Sequence, residues 1–534
     1  MKSTWRMIGL VAALAFLSTA ARSTALGAED APPAETPAAE APAEEPQPAE
    51  PAEEKPVIRV SEETTRITEP LKANGLVDYV AAVNNKLREG VTPENNAMVL
   101  YVRAFGPAEI DVAARGAFFE KLGIEPLPVT GEYLLGIHEY LAELPAGEEA
   151  PTEERMYADR DEAMQQPWSA MDKPHLARWL EKNEKPLALV VEGTKRPRCY
   201  TPLVGDSLIA TLLPTLGPIR EAAWQLTTRA MLRVSQGEFE AAYDDLVAVD
   251  RLAEHASSGP TLIDMLVGIA TDAMAQKCWV AFLQNEKLPE PLLARSLEHF
   301  AARAPQPRFT EKIEPMERYM YLDAVQGIAT EEMDLSVIGG GLEGILPRVR
   351  SFIDWNETLK QGNEMYDKLL AAARIADPVE RKAAEEAFFE EVQKMAEPPG
   401  ILEMARLVLD PDRSKKIGRR MGGVFNALLL PAFSAVDRAE FRGVAGDELV
   451  QLTGLLEQYR RKHESYPETL AALAEAFPAA PLKHSRDGGE YQYRRTEGGY
   501  TLWRLGSDPA AAVSDAGDAM EFAADNMVIV RRNR

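Results

Sequence analysis

The chain has 534 residues, with 59 Lys plus Arg against 84 Asp plus Glu, a net charge of -25, 46% hydrophobic residues and 7% aromatic ones. That apolar content excludes a chain disordered throughout, and at roughly 150 residues per domain the length predicts about three domains. The acidic excess argues against nucleic acid as a partner, because binding to phosphate backbones rests on clustered Lys and Arg that release counterions; anionic membrane surfaces are disfavoured likewise.

Residues 1–28 read as a secretory signal peptide. Lys2 and Arg6 precede an apolar run from Met7 to Leu17, and small residues follow, including Ser23-Thr24-Ala25 and Leu26-Gly27-Ala28. The run is shorter than the stretch of about 20 residues that a spanning helix needs, so cleavage is expected between Ala21 and Ala28, with an uncleaved N-terminal anchor as the alternative. No Cys follows the run, which excludes a lipoprotein anchor. The expected location is therefore periplasmic or extracellular, with no transmembrane anchor after cleavage. Residues 29–58 are built almost wholly from Ala, Pro and Glu. They carry too little apolar surface to offset the entropy of ordering, and predict a disordered acidic stalk.

From residue 59 to 200 the pattern predicts a mostly helical region, broken at Gly106-Pro107, Pro126, Pro128 and Pro145, with one candidate strand at Leu187–Glu192 closed by Gly193. Residues 201–445 are the clearest helical block, with helices expected over Ile219 to Arg233, Phe239 to His255 and Thr261 to Phe282. Within it, RAMLRVSQGEFEAAYDDLVAVDRL resembles one tetratricopeptide repeat unit: Gly237 allows the tight turn, and Ala230 and Ala242 let two antiparallel helices approach closely. One repeat length further on the pattern does not recur, so a single repeat-like hairpin inside an irregular helical body is expected rather than a solenoid. The apolar run Met421 to Val436 follows Lys415, Lys416, Arg419 and Arg420 but is short and contains Asn426 and Pro431, which predicts a buried core helix.

Residues 446–534 change character. Leu449, Leu452, Leu456 and Tyr459 form an apolar stripe on a helix ending near His463; a short helix follows in SYPETLAALAEAF. Tyr491 to Arg495 and Tyr500 to Leu505 flank Glu497-Gly498-Gly499 as a β-hairpin, and Met527 to Arg532 reads as a last strand. The fold class is thus mainly α, ending in a small α+β domain.

The order YRRKHESYPETLAAL, EYQYRRTEGGYTLWRLGSD, DNMVIVR resembles the C-terminal globular part of the major pseudopilins of type II secretion, over about one sixth of the chain. The whole chain resembles large secreted bacterial proteins that join such a tail to an α-helical body, on RPRCYTPLV, AMLRVSQGEFEAAYDDL and SGPTLIDMLVGIA; that resemblance implies an architecture and brings no activity with it. The pseudopilin resemblance implies a calcium site in the loop after Leu-Gly-x-Asp, whose matching carboxylates are Asp508, Asp515 and Asp518. No other cofactor is expected.

Gly205-Asp206-Ser207-Leu208 spells the nucleophile block of GDSL-type esterases, which would make Ser207 a catalytic serine. The Asp172 to His175 spacing precedes that serine where the family places it near the C-terminus, so Ser207 is expected near a helix start instead. The six histidines, His138, His175, His255, His299, His463 and His484, offer no i, i+4 pair for zinc. Glu238, Glu240, Asp244, Asp245 and Asp250 are expected on the solvated face of their helix. Trp168, Trp179 and Trp224 are expected in core positions rather than in a ligand groove. Cys199 and Cys278 are the only cysteines; free thiols and a single bridge both remain open.

These readings combine into an exported non-enzymatic binding or scaffold protein of the cell envelope with unidentified protein partners. The alternatives are a secreted serine hydrolase using Ser207 and an accessory component of a secretion or pilus-type assembly.

Overall fold

A computed structural model describes residues 57–145, 150–209, 211, 213–333, 350–395, 397, 406–407, 409–429, 433–504, 520–523 and 526–531. The chain is mainly helical. Helices begin where a polar side chain meets the unpaired amides of a first turn. Asp78 accepts from Ala81 N at the head of α1 (Tyr79–Leu87), and Asn96 accepts from Met98 N at the head of α2 (Ala97–Phe105). Gly106, at φ 75°, ends α2 in a conformation that favours glycine. There follow α3 (Arg115–Leu122), α4 (Ile137–Ala142), α5 (Glu153–Ala163), α6 (Pro174–Lys182) and α7 (Glu184–Gly193).

Helix α7 corrects one expectation. Residues 187–192 form no strand; they lie inside a helix that starts after Asn183 and carries Pro186 in its first turn, where proline is tolerated. Leu187 and Val190, three apart, are buried on one face, and α7 packs along α2. A short apolar run cannot by itself separate strand from buried helix, and here the neighbouring helix decides it.

Helices α8 (Leu216–Gln236) and α9 (Phe239–Ser257) form a hairpin about Gly237 at φ 80°, with Ala230 and Ala242 fully buried. Next come α10 (Leu262–Leu283), opened by a reciprocal Thr261–Asp264 cap, and α11 (Glu290–Ala302). The second half holds α12 (Arg318–Thr330), α13 (Trp355–Ala373), α14 (Pro378–Met395), α15 (Arg413–Leu429), α16 (Phe433–His463) and α17 (Leu470–Ala476). Strands β1 (Tyr491–Thr496), β2 (Gly499–Arg504), β3 (Met520–Ala523) and β4 (Asn526–Arg531) form one antiparallel sheet in the order β1-β2-β4-β3.

Two apolar cores share two helices. The first core gathers α2 to α11, the later part of α16 and the sheet, through Trp179, Trp279, Phe282, Leu449, Leu456, Tyr500 and Ile529. The second gathers α1 and α12 to α15, through Tyr79, Tyr321, Trp355, Met365 and Phe425. Helix α10 gives Leu262, Met265 and Ile269 to the second core and Ala275 to Leu283 to the first; α16 gives Val436 to the second and Ala445 onward to the first. Each fully buried Leu, Ile or Phe in these cores is worth about 1.5–3 kcal/mol over exposure. Among the described residues α10 is the one helix long and apolar enough to cross a membrane, and its window is 61% buried inside the fold. The apolar run at 421–436 supplies Met421, Val424 and Phe425 to the interior, and residue 445, where the sequence changes character, lies in mid α16.

Candidate functional site

The cores meet where α10 crosses α16, and this crossing carries a buried polar network. Gly446 permits it: a Cβ there would stand 2.0 Å from Gln276 Oε1. Gln276 Nε2 donates to Asp272 Oδ2 at 2.8 Å, to Asp447 Oδ1 at 2.9 Å and to Gly443 O at 3.0 Å. Arg303, just past α11, donates to Asp272 Oδ1 at 2.7 Å and to Asp447 Oδ1 at 3.0 Å, and Gln306 Nε2 donates to Asp272 Oδ2 at 2.7 Å. Burial pushes Asp447 well above the ordinary carboxylate range, and the charge of Asp272 adds to the push against the pull of Arg303.

This network floors a cleft of about 560 Å³. Its walls come from the segment after α11 (Gln306, Arg308), the α13–α14 turn (Arg374, Arg381), α16 (Glu440, Glu448) and Arg486 before β1. Arg486 pairs with Asp437 and lies 3.3 Å from Glu440 Oε1. Glu440 is raised by burial, against the nearby Arg486, and accepts from Phe309 N at 3.0 Å. Arg381 donates to the carbonyls of Ile375 and Arg486, both at 3.2 Å.

Several polar groups are left over. Arg308 Nε and Nη2 and Gln306 Oε1 are buried without a hydrogen-bond partner, although Arg308 Nε stands 3.7 Å from Glu440. A buried donor left unmade costs about 1–3 kcal/mol. Chemically the arrangement can hold a polar or anionic group between guanidinium donors.

The residues singled out in the sequence fall elsewhere. Ser207 lies beside the buried Asp323, whose carboxyl also accepts from Leu208 N at 2.8 Å; burial raises Asp323, and the Leu208 amide and the Ser207 hydroxyl pull the other way. Among the described residues no hydrogen bond joins Ser207 to a histidine: His175 contacts Tyr140 and Arg178, His255 contacts Tyr101 and the Arg196 carbonyl, and His299 contacts Asp250. Asp508, Asp515 and Asp518 lie outside the described residues. Among the described residues no group of three or more His, Cys, Asp or Glu is placed to hold a metal ion.

Trp168 and Trp179 are core residues whose indoles donate to the carbonyls of Thr228 and Leu135, while Trp224 stays half-buried with the Arg160 guanidinium 4.2 Å above its ring. The solvated-face expectation fails at two positions of α9. Asp245 is buried between Arg229 and Arg233 at 2.6 Å from each, and Asp250 is buried under Trp279 Nε1 at 2.9 Å and His299 Nε2 at 2.7 Å. Glu240 and Asp244 do face solvent, where Arg295 meets both. Both cysteines are free; Cys278 is fully buried and Cys199 half-buried, and burial pushes the Cys199 thiol up to about 12.

The network residues Asp272, Gln276, Arg303, Gln306 and Asp447 were not singled out from sequence. One signal for them exists: Asp272 and Gln276, four apart, place two polar side chains on one face of the largely apolar Leu262–Leu283 helix. Neither a family model, nor a curated protein, nor a solved structure matches the chain.

Proposed function

We propose that the chain is an exported, non-enzymatic binding protein of the cell envelope that takes its partner at the arginine-walled cleft. The observation that carries this reading is a cavity of about 560 Å³ lined by Arg303, Arg308, Arg374, Arg381 and Arg486, with the hydrogen-bonded network of Gln276 and Asp447 beneath it. Export rests on the signal-peptide pattern of residues 1–28, and the acidic tract after it supplies reach. The body carries one repeat-like hairpin, α8–α9, of the kind that tetratricopeptide units use for protein contact.

The test has two arms. Mass spectrometry of native material should find an N-terminus between residues 21 and 29; an intact Met1 inside the cell overturns export. Envelope fractions passed over the mature protein and over Arg308→Glu should yield a partner retained by the first and lost by the second; identical capture by both overturns the cleft as the binding site.

A second reading, an accessory component of a secretion or pilus-type assembly, is favoured by the order of a long helix, a Tyr466-Pro467 step ahead of the short helix Leu470–Ala476, and an antiparallel sheet at the C-terminal end. A strictly monomeric isolate with no envelope partner counts against it.

A further inference from the structure

A second cavity, of about 650 Å³, has Lys86, Lys195, Arg196, Arg198 and Arg251 standing around one carboxylate, Glu254. Such a concentration of positive charge is unexpected in a chain of net charge -25. Two of the charges are already matched: Lys195 pairs with Glu192 at 2.8 Å, and Glu254 lies 3.6 Å from Arg303 behind the cavity wall. The rest are not. The Arg196 guanidinium donates to the carbonyls of Pro93 and Asn96 at 2.7 and 2.9 Å, and Arg198 donates to the carbonyl of Glu89 at 2.7 Å. Those bonds fix the guanidinium planes without neutralising them. Arg251 and Lys86 have no ion-pair partner among the described residues.

Glu94, whose carboxyl interacts with the charge of Arg196, and three helix ends supply further negative charge. The cavity is lined by the last residues of α1 (Lys86, Leu87), by Thr194 after α7 and by His255 and Ser258 at the end of α9. Each C-terminus contributes about half a negative charge, so with Glu94 the three offset about 2.5 of the four cations and leave an excess of about 1.5 positive charges. Basic residues that merely complemented helix ends would leave no such surplus. His255 does not add to it: burial holds its imidazole at about 4, hence neutral, with the ring fixed between Tyr101 Oη and the Arg196 carbonyl.

We propose that this cavity binds a small organic phosphate carrying two to three negative charges, a phosphomonoester or a diphosphate. The cations arrive from three sides, from the end of α1, from the 195–198 segment and from the flank of α9, which suits a tetrahedral group with acceptors all round better than a planar carboxylate. Leu87, Val91 and Pro197 offer an apolar wall to the organic part, and the volume is that of a small-molecule site. The two cavities touch through the Glu254–Arg303 pair, but the cations of this one do not line the arginine-walled cleft.

Isothermal titration of the full mature protein with inorganic pyrophosphate and with glycerol 3-phosphate, at matched ionic strength, tests it. Saturable one-site binding is expected, weakened roughly tenfold by Arg251→Gln and again by Lys86→Gln, both on exposed side chains whose loss leaves the fold intact. Arg308→Glu in the other cleft should leave this binding unchanged. Absence of saturable binding, cavity variants that bind as tightly as the unsubstituted chain, or tighter binding of citrate than of pyrophosphate would overturn the assignment.

Discussion

Asp272 and Asp447, on two different helices, accept from the same guanidinium, that of Arg303, at 2.7 and 3.0 Å. Arg303 therefore ties α10 to α16 at the point where the two apolar cores meet. Replacing Arg303 with Met leaves two carboxylates facing each other without their cation, and a loss of about 3–5 kcal/mol is expected. Denaturant melts measure it, and Asp447→Asn in the Arg303→Met background should recover part of the loss; no recovery would show that the two carboxylates do not interact.

The pH dependence of that pair has a definite sign. The Asp447 carboxyl is raised in the fold by burial first and by Asp272 second, so the folded chain holds a proton that the unfolded chain releases near the ordinary Asp value of about 3.9. Stability from this group falls as pH rises from about 4 toward the raised folded value. Asp447→Asn should flatten the curve in that window, as followed by urea midpoints between pH 4.5 and 7.5; parallel curves for the two proteins would contradict the assignment.

His255 acts in the opposite direction. Burial lowers it to about 4, below the ordinary His value of about 6.5, so on acidification the unfolded chain takes up a proton before the folded one. Stability present above about 6.5 is lost as pH falls toward about 4. His255→Gln should lessen the acid loss, with the slope of midpoint against pH as the readout.

Gly268 sets how closely α9 and α10 approach. A Cβ there would lie 1.9 Å from Ser257 Oγ and 2.7 Å from the Ala253 carbonyl, so Gly268→Ala must push the helices apart and should cost about 1–3 kcal/mol. Gly217→Ala, which meets nothing, is the control and should be neutral or slightly stabilising.

The two thiols should stay separate and unreactive. Burial raises both, Cys199 to about 12. An aromatic disulfide reagent at pH 8 is expected to label neither in the native protein and both after denaturation; an intact mass two hydrogens short would instead show a bridge.

Much of the helical order was legible because its causes are local. Gly237 between α8 and α9, the Thr261–Asp264 cap of α10 and the stripe Leu449, Leu452, Leu456 of α16 each act within a few residues of themselves, as does the glycine turn of the β1–β2 hairpin. Leu187–Glu192 was misread because a run of apolar residues has no period of its own, and only the flank of α2 tells it to be a helix.

Burial of charge was not legible at all. Asp245 and Asp250 read as surface acids on an amphipathic helix, yet their partners Arg229, Arg233, Trp279 and His299 come from other helices. Both cavities have the same origin. Arg303, Arg308 and Asp447 meet only once α10 has crossed α16, and Lys86, Arg196 and Arg251 meet only where three helix ends converge. The sequence alone determined that the chain is mainly helical, several of its longer helices with the turns that end them, and that an acidic tract precedes them, since propensity, capping and composition act along the chain. Only the tertiary structure decided which charges are neutralised and which are left open, because electrostatic pairing depends on distance through space, and groups remote in sequence are brought within reach by packing alone.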